Sequence, residues 1–135
     1  MNNINKKKEI VKYSKLFSTE SFSPIRSGNI SIRSKLNNKE GFFISPSGKI
    51  NLELTIKDIV FVSLKGDIEK NKKPSSEWRF HLDLYNSTEC NAIVHAHSKF
   101  AVICSCLYKK IPSFHYMIAL TGKKNCQSCK LRFIW

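Results

Sequence analysis

No stretch of this chain stays apolar for long enough to span a bilayer. Its start, "MNNINKKKEI", is basic but lacks the apolar core of a secretory signal. A soluble, cytoplasmic protein with no membrane partner is therefore expected. The 5 cysteines are odd in number and form no dense framework, which excludes a disulfide scaffold and favours reduced thiols. Acidic residues are scarce, 10 Asp and Glu against 23 Lys and Arg, for a net charge of +13. A balance of this kind can signal a nucleic-acid partner. Here the lysines are scattered, from Lys6–Lys8 through Lys72–Lys73 and Lys109–Lys110 to Lys123–Lys124, and no reading motif accompanies them. Asn, Ile and Lys, all with A/T-rich codons, are abundant together, so a coding bias that dresses the surface accounts for the charge. No specific nucleic-acid partner is expected, although the charge still draws anionic ligands such as sugar phosphates.

What is present describes a globular chain. With 135 residues, 41% hydrophobic and 24% charged, it suits one domain with a real core. Ile10, Tyr13, Leu16 and Phe17 recur at helical spacing. Pro24 and Gly28 break that pattern, and Ile30 and Ile32 then alternate as in a strand. "GFFISPSGKI" reads as a strand running into a turn, and Ile59 to Leu64 as a second strand ending in a turn at Lys65–Asp67. "PSSEWRFHLDLY" reads as a helix start, with Pro74 as a stop, a serine as cap, Glu77 in the first turn, and Trp78, Leu82 and Tyr85 as the buried face. In "NAIVHAHS" the residues Ile93, His95 and His97 point one way and Ala92, Val94 and Ala96 the other. A helix follows Ser98, and "IPSFHYMIAL" reads as a loop and strand. The order is mixed α/β, with strands too close together for a regular βαβ series.

Several of these pieces can carry chemistry. His95 and His97 share a strand face, so both imidazoles can reach one ion, but a catalytic zinc takes three protein ligands and an open position. An H-x-H pair alone fits hydrogen-bonded core histidines better than a metal. Ser75 and Ser76 open a helix, where free N–H groups and hydroxyls make a phosphate cradle, although plain N-capping uses the same residues. "SGN" at Ser27–Asn29 and "SPSG" at Ser45–Gly48 are further small-residue loops. Glu77 beside a cation can serve as general acid/base, or it can simply answer the helix dipole. "CQSC" at Cys126–Cys129 has CxxC spacing but no second pair, and signals little.

Together, "GNISIR", "FFISPSGK", "DIVFVSLKG", "PSSEWRFHLDLY", "NAIVHAHS" and "IPSFHYMIA" resemble the class II aldolase/adducin family, in its order and at its spacing, from about Ile10 to Gly122. Within that family the likeness is greatest to the sugar-phosphate aldolases of the fuculose type. The combination is more specific than any one segment, and the metal reading of His95 and His97 then overtakes the bland one. The resemblance implies an α/β fold, a mixed and largely antiparallel sheet flanked by helices in α/β/α layers, incomplete at the C-terminus. It implies that Gly28, Asn29, Ser47, Gly48, Ser75 and Ser76 bind phosphate, and that His95 and His97 ligate Zn2+. It gives Glu77 the acid/base role and makes Tyr116 a proton donor to the aldehyde oxygen in a neighbouring subunit's site.

The implied reaction is metal-dependent cleavage of a ketose 1-phosphate to dihydroxyacetone phosphate and an aldehyde. Zinc acts as a Lewis acid toward the enediolate, and the implied assembly is a homotetramer. Glutamate after the serines favours an aldolase over the related pentulose-phosphate epimerases, and a methylthioribulose-phosphate dehydratase is the other enzyme alternative. The intact Glu77, His95 and His97 argue against a non-catalytic adducin-like domain.

The family's third zinc histidine belongs to a downstream segment that this chain lacks, so weak zinc binding and an open sheet edge are expected. Residues 123–135, "KKNCQSCKLRFIW", depart from the family and are set apart from the 1–122 domain. With suitably chosen codons, removing one A from the A-tract near Lys124 turns this ending into a sequence that resembles the family's continuation. A frameshift within a longer aldolase is the expectation, and gene decay is the alternative.

Overall fold

The computed structural model describes residues 1–20, 27–107, 110–111 and 126–127. The chain divides into two compact units, Met1–His97 and Ser98–Trp135. The first contains α1 (Asn3–Thr19), β1 (Asn29–Leu36), β2 (Lys39–Ile44), β3 (Val60–Ser63), α2 (Trp78–Ser87) and β4 (Ala92–His95). In the second, α3 (Lys99–Leu107) follows Ser98 as expected, and β5 (Lys110–Ile111) pairs antiparallel with β6 (Cys126–Gln127). The remainder of "IPSFHYMIAL", with Tyr116, and most of the tail after Gly122 lie outside the described residues.

The first unit is built on a four-stranded sheet of order β3-β2-β1-β4 with every pairing antiparallel. β1 and β2 form a hairpin closed by Asn37 and Asn38, both at positive φ, the backbone that a two-residue turn requires and that asparagine tolerates. Both faces of the sheet are covered. Ile30, Phe43, Ile59 and Phe61 form one buried cluster with Ile10 of α1. Phe42, Ile44, Val60, Val62 and Ile93 form the other with Tyr85 of α2. Adjacent residues of β2 and β3 therefore serve opposite layers, the period-2 rule applied to a sheet sandwiched between helices. The α/β/α expectation is met in this unit.

The helix expected around Ile10 to Phe17 is present as α1, and one local expectation, the serine cap of α2, needs correcting. On α1 the buried residues are Ile10 and Ser14, with Phe17 packed beside them, while Tyr13 and Leu16 are 44% and 47% exposed. At 3.6 residues per turn, the face through Ile10, Ser14 and Phe17 leaves Leu16 turned well away. At α2 the N-cap residue is Glu77, not a serine, and its side chain makes no capping bond; Ser75 reaches only the Glu77 N–H, with its hydroxyl. The cause lies upstream. Ser75 N–H donates to the Ser45 carbonyl (3.0 Å) and Pro74 bridges to Pro46, so the chain stays extended through Ser75 and turns only afterwards.

A row of polar residues docks α2 on β1. Asn29, Ser31 and Arg33 share the strand face toward α2, and meet Glu77, His81, Tyr85 and Thr88. Two strand residues advance about 6.6–6.8 Å and four helical residues about 6 Å, so the two periods stay in step along this row. Arg33 donates to the carbonyls of Tyr85 (2.7 Å), Thr88 (2.9 Å) and Cys90 (2.9 Å), closing the C-terminal end of α2.

Candidate metal centre and phosphate loops

Register brings the site together. Asn29 at the start of β1 lies directly opposite His95 at the end of β4, and the N-cap of α2 carries Glu77 to the same place. His97 follows two residues past β4's last position, and its ring stacks on that of His95 with centroids 4.8 Å apart. One ligand atom each from Glu77, His95 and His97 lies within 4.8 Å of the others.

The contacts within this group are charged and close. Glu77 Oε2 lies 2.6 Å from His95 Nδ1 and accepts from Asn29 Nδ2 at 2.6 Å. The approach of Glu77 to His95 is off the line of a hydrogen bond, so His95 Nδ1 is a buried nitrogen with no hydrogen-bond partner among the described residues. The His95 contact, helped by the Asn29 amide, holds the Glu77 carboxyl below its ordinary pKa although burial works the other way. The same contact raises His95 against the effect of its own burial. Glu77 is thus a carboxylate at neutral pH.

Two imidazoles and a carboxylate are a donor set for zinc and neighbouring first-row divalent ions. One ligand atom from each of the three side chains converges on a common point, so the residues present fit such a group.

The loops singled out in the sequence meet beside Glu77. Ser45 N–H donates to the Ile30 carbonyl (3.1 Å), Ser45 Oγ accepts from Ile30 N–H (3.2 Å), and Ser47 N–H donates to the Lys73 carbonyl (3.2 Å). Gly28 and Gly48 both have positive φ, near 77° and 76°, where a side chain would be strained. Ser75 is buried, and its hydroxyl accepts weakly from Glu77 N–H (3.4 Å). Ser76 is exposed. Asn29 differs from its neighbours: it is 6% exposed, and both ends of its amide are engaged, by Glu77 and by His81.

His81 was not singled out in the sequence. It is fully buried, bonded to Asn29 Oδ1 through Nε2 and to Ser31 Oγ through Nδ1 (2.7 Å). Burial first, then the charge of His95, pushes its pKa down to about 4. The signal was available: His81 is one helical turn from Glu77, and Asn29 and Ser31 alternate on the facing strand.

Comparison with known proteins places this geometry in a family. Residues 8–129 match the class II aldolase and adducin N-terminal domain. The chain belongs to that family. It is 43% identical over 96 residues to a 5-methylthioribulose-1-phosphate/5-deoxyribulose-1-phosphate aldolase of Rhodospirillum rubrum, covering 70% of this chain and 42% of that protein. An L-fuculose phosphate aldolase of Haemophilus influenzae is 44% identical over 96 residues, covering 70% and 43%. The solved structure of an L-fuculose 1-phosphate aldolase superposes with a TM-score of 0.77 at 34% identity, covering 89% of this chain and 57% of that one. The chain spans less than half the length of these curated relatives. Among the described residues no helix is long and apolar enough to cross a membrane.

Proposed function

We propose that this chain carries the N-terminal part of a metal-dependent sugar-phosphate aldolase site. The substrate class is a ketose 1-phosphate, such as L-fuculose 1-phosphate, cleaved to dihydroxyacetone phosphate and an aldehyde. The observation that carries this reading is the convergence of Glu77, His95 and His97 beside the loops of Gly28, Ser47–Gly48 and Ser75–Ser76. The names of the relatives support it: the curated proteins are a 5-methylthioribulose-1-phosphate/5-deoxyribulose-1-phosphate aldolase and an L-fuculose phosphate aldolase, and the solved structure is an L-fuculose 1-phosphate aldolase.

The residues divide the work by their chemistry. Ser47, Gly48, Ser75 and Ser76 hold the phosphate through the serine hydroxyls and the N–H groups of Gly48 and Ser76, since the N–H groups of Ser47 and Ser75 are taken by the Lys73 and Ser45 carbonyls, and this fixes the reacting carbon in register. Glu77, kept ionised by His95 and Asn29, takes a proton from the substrate and returns it at carbon. Asn29 belongs to the phosphate loop by position but turns its amide toward Glu77, and so serves the acid/base group. His95 and His97 would hold the cation, Zn2+ in this reading. When bound, the cation supplies Lewis-acid stabilisation of negative charge on substrate oxygens. Tyr116 is proposed as the proton donor to the aldehyde oxygen across a subunit boundary in a homotetramer.

The test is calorimetric titration of dihydroxyacetone phosphate into the chain with and without Zn2+, with inorganic phosphate as control. Zn2+-dependent binding that weakens in Ser75→Ala and Ser76→Ala supports the proposal. Binding indifferent to both the metal and the serines reflects the +13 charge alone and rejects it.

A further inference from the structure

A single hydrogen-bonded chain runs from the interior to the acid/base carboxylate. Tyr85 OH lies 2.8 Å from Ser31 Oγ, Ser31 Oγ lies 2.7 Å from His81 Nδ1, His81 Nε2 meets Asn29 Oδ1, and Asn29 Nδ2 donates to Glu77 at 2.6 Å. Tyr85, Ser31 and His81 are at most 2% exposed, so water does not compete for these groups.

The direction of every bond follows from its first member. An ionised carboxylate only accepts, so it takes the N–H side of the Asn29 amide. That leaves Oδ1 for His81, which must present N–H at Nε2. A neutral imidazole then has a bare Nδ1, which accepts from the one hydroxyl hydrogen of Ser31. Ser31 Oγ, its hydrogen spent, accepts from Tyr85 O–H. Burial supports both end states: it keeps His81 neutral and raises the Tyr85 hydroxyl to about 12.

We propose that His81 is a positioning residue: its Nε2–H fixes which end of the Asn29 amide meets Glu77, and so holds the Glu77 carboxylate toward His95 and His97. With no donor at His81, the amide is free to turn its oxygen toward the carboxylate, where two acceptors repel. The aromatic surroundings hold the ring itself. Phe42 stacks on it at 6.5 Å between centroids, and Phe80 meets it edge-on at 6.0 Å. This inference rests on the reading of Glu77 as the acid/base group beside the cation.

The tautomer is read first, from the imidazole 15N shifts of His81 in the metal-free 135-residue chain, where no variant is needed. Protonation at Nε2 with a bare Nδ1 is expected, and the opposite tautomer overturns the proposal. Zn2+ affinity is then titrated for the unsubstituted chain, His81→Leu and His81→Gln. Losing the hydrogen-bond partner of a metal ligand typically weakens binding by roughly 10–100-fold, and because His81 stands one bond further out, a loss at the low end, about tenfold, is expected for leucine. Glutamine keeps one N–H and one acceptor, and is expected to restore affinity to within about threefold. Zn2+ bound by the leucine variant as tightly as by the unsubstituted chain overturns the proposal, as does a folded glutamine variant no better than leucine. If His81→Leu does not fold, the tautomer and the glutamine variant decide. A chain that takes up no Zn2+ at all rejects the metal reading of the site, while the tautomer still decides the polarity of the chain of bonds.

Discussion

Asn29 and Glu77 stand 48 positions apart in the sequence, and the amide nitrogen of one donates to the carboxylate of the other at 2.6 Å. This bond joins the first residue of β1 to the N-cap of α2, and it sits where the end of the β1–β4 pair, the helix start and the small-residue loops meet.

Replacing Asn29 tests both ends of that bridge. Asn29→Ala takes the donor from Glu77 and leaves His81 Nε2–H buried without its acceptor. An unsatisfied buried donor costs about 1–3 kcal/mol. Urea unfolding of the metal-free variant is expected to show a loss of that size. A stability equal to the unsubstituted chain would show that Asn29 is not bonded to His81 in solution.

His81 makes the fold sensitive to acid in a defined window. Its pKa falls from 6.5 to about 4 on folding, so between these values the unfolded chain binds the extra proton. Stability therefore rises with pH across the window, and is lost as pH falls from about 6.5 toward 4. The full span is worth on the order of 3 kcal/mol. Glu77 and His95 face His81 across Asn29, and their mutual charges partly offset one another there. The check is denaturant unfolding at a series of pH values for the unsubstituted chain and His81→Gln. The slope in that window should be shallower in the glutamine variant, and parallel curves would assign it to other groups.

The architecture was largely legible because periodicity reports burial. Ile93 and His95 alternate with Ala92 and Val94 in the sequence, and the structure buries Ile93 and leaves Ala92 and Val94 exposed. The H-x-H pair and Glu77 stand out in the sequence, and the β1–β4 register together with the N-cap of α2 brings their ligand atoms within 4.8 Å of one another. The docking of α2 was not legible. A pattern search expects Trp78, Leu82 and Tyr85 to bury the helix, and Tyr85 does so, but a fully buried histidine bonded to a buried serine contributes no apolar signal. On α1, which the spacing does predict, Ser14 likewise occupies the centre of the buried face while the apolar Leu16 is exposed. In both helices, polar residues stand where an apolar period would place the core.

Arg33 separates the two ends of α2. Its guanidinium bonds three carbonyls at the far end of the helix from Glu77 and lies over the Tyr85 ring, 4.7 Å from its centroid. Lysine cannot reproduce that fork. Arg33→Lys is expected to lower stability by about 1–3 kcal/mol through unsatisfied carbonyls, with Zn2+ affinity changed by less than about threefold. Chemical unfolding and zinc titration on the same variant measure the two quantities. A large loss of zinc affinity would mean that the whole helix, and not its N-cap, sets the site.

The metal itself should leave a thermodynamic trace. A cation that binds only the folded chain adds about 2.7 kcal/mol when present at 100 times its Kd, and EDTA should remove that gain. His97→Ala should abolish the Zn2+-dependent rise in Tm, because it deletes one of the converging ligand atoms. Proton competition gives a second readout. Glu77 makes His95 hold its proton more strongly than an ordinary histidine, and a ligating imidazole must give that proton up. Zinc uptake should therefore strengthen as pH rises through the elevated pKa of His95, and below it each bound ion should release a proton. Titrations in buffers of different ionisation enthalpy count that proton. A zinc affinity that is flat across this range would place the ion away from His95, and a Tm gain that survives in His97→Ala would place it away from the H-x-H pair altogether.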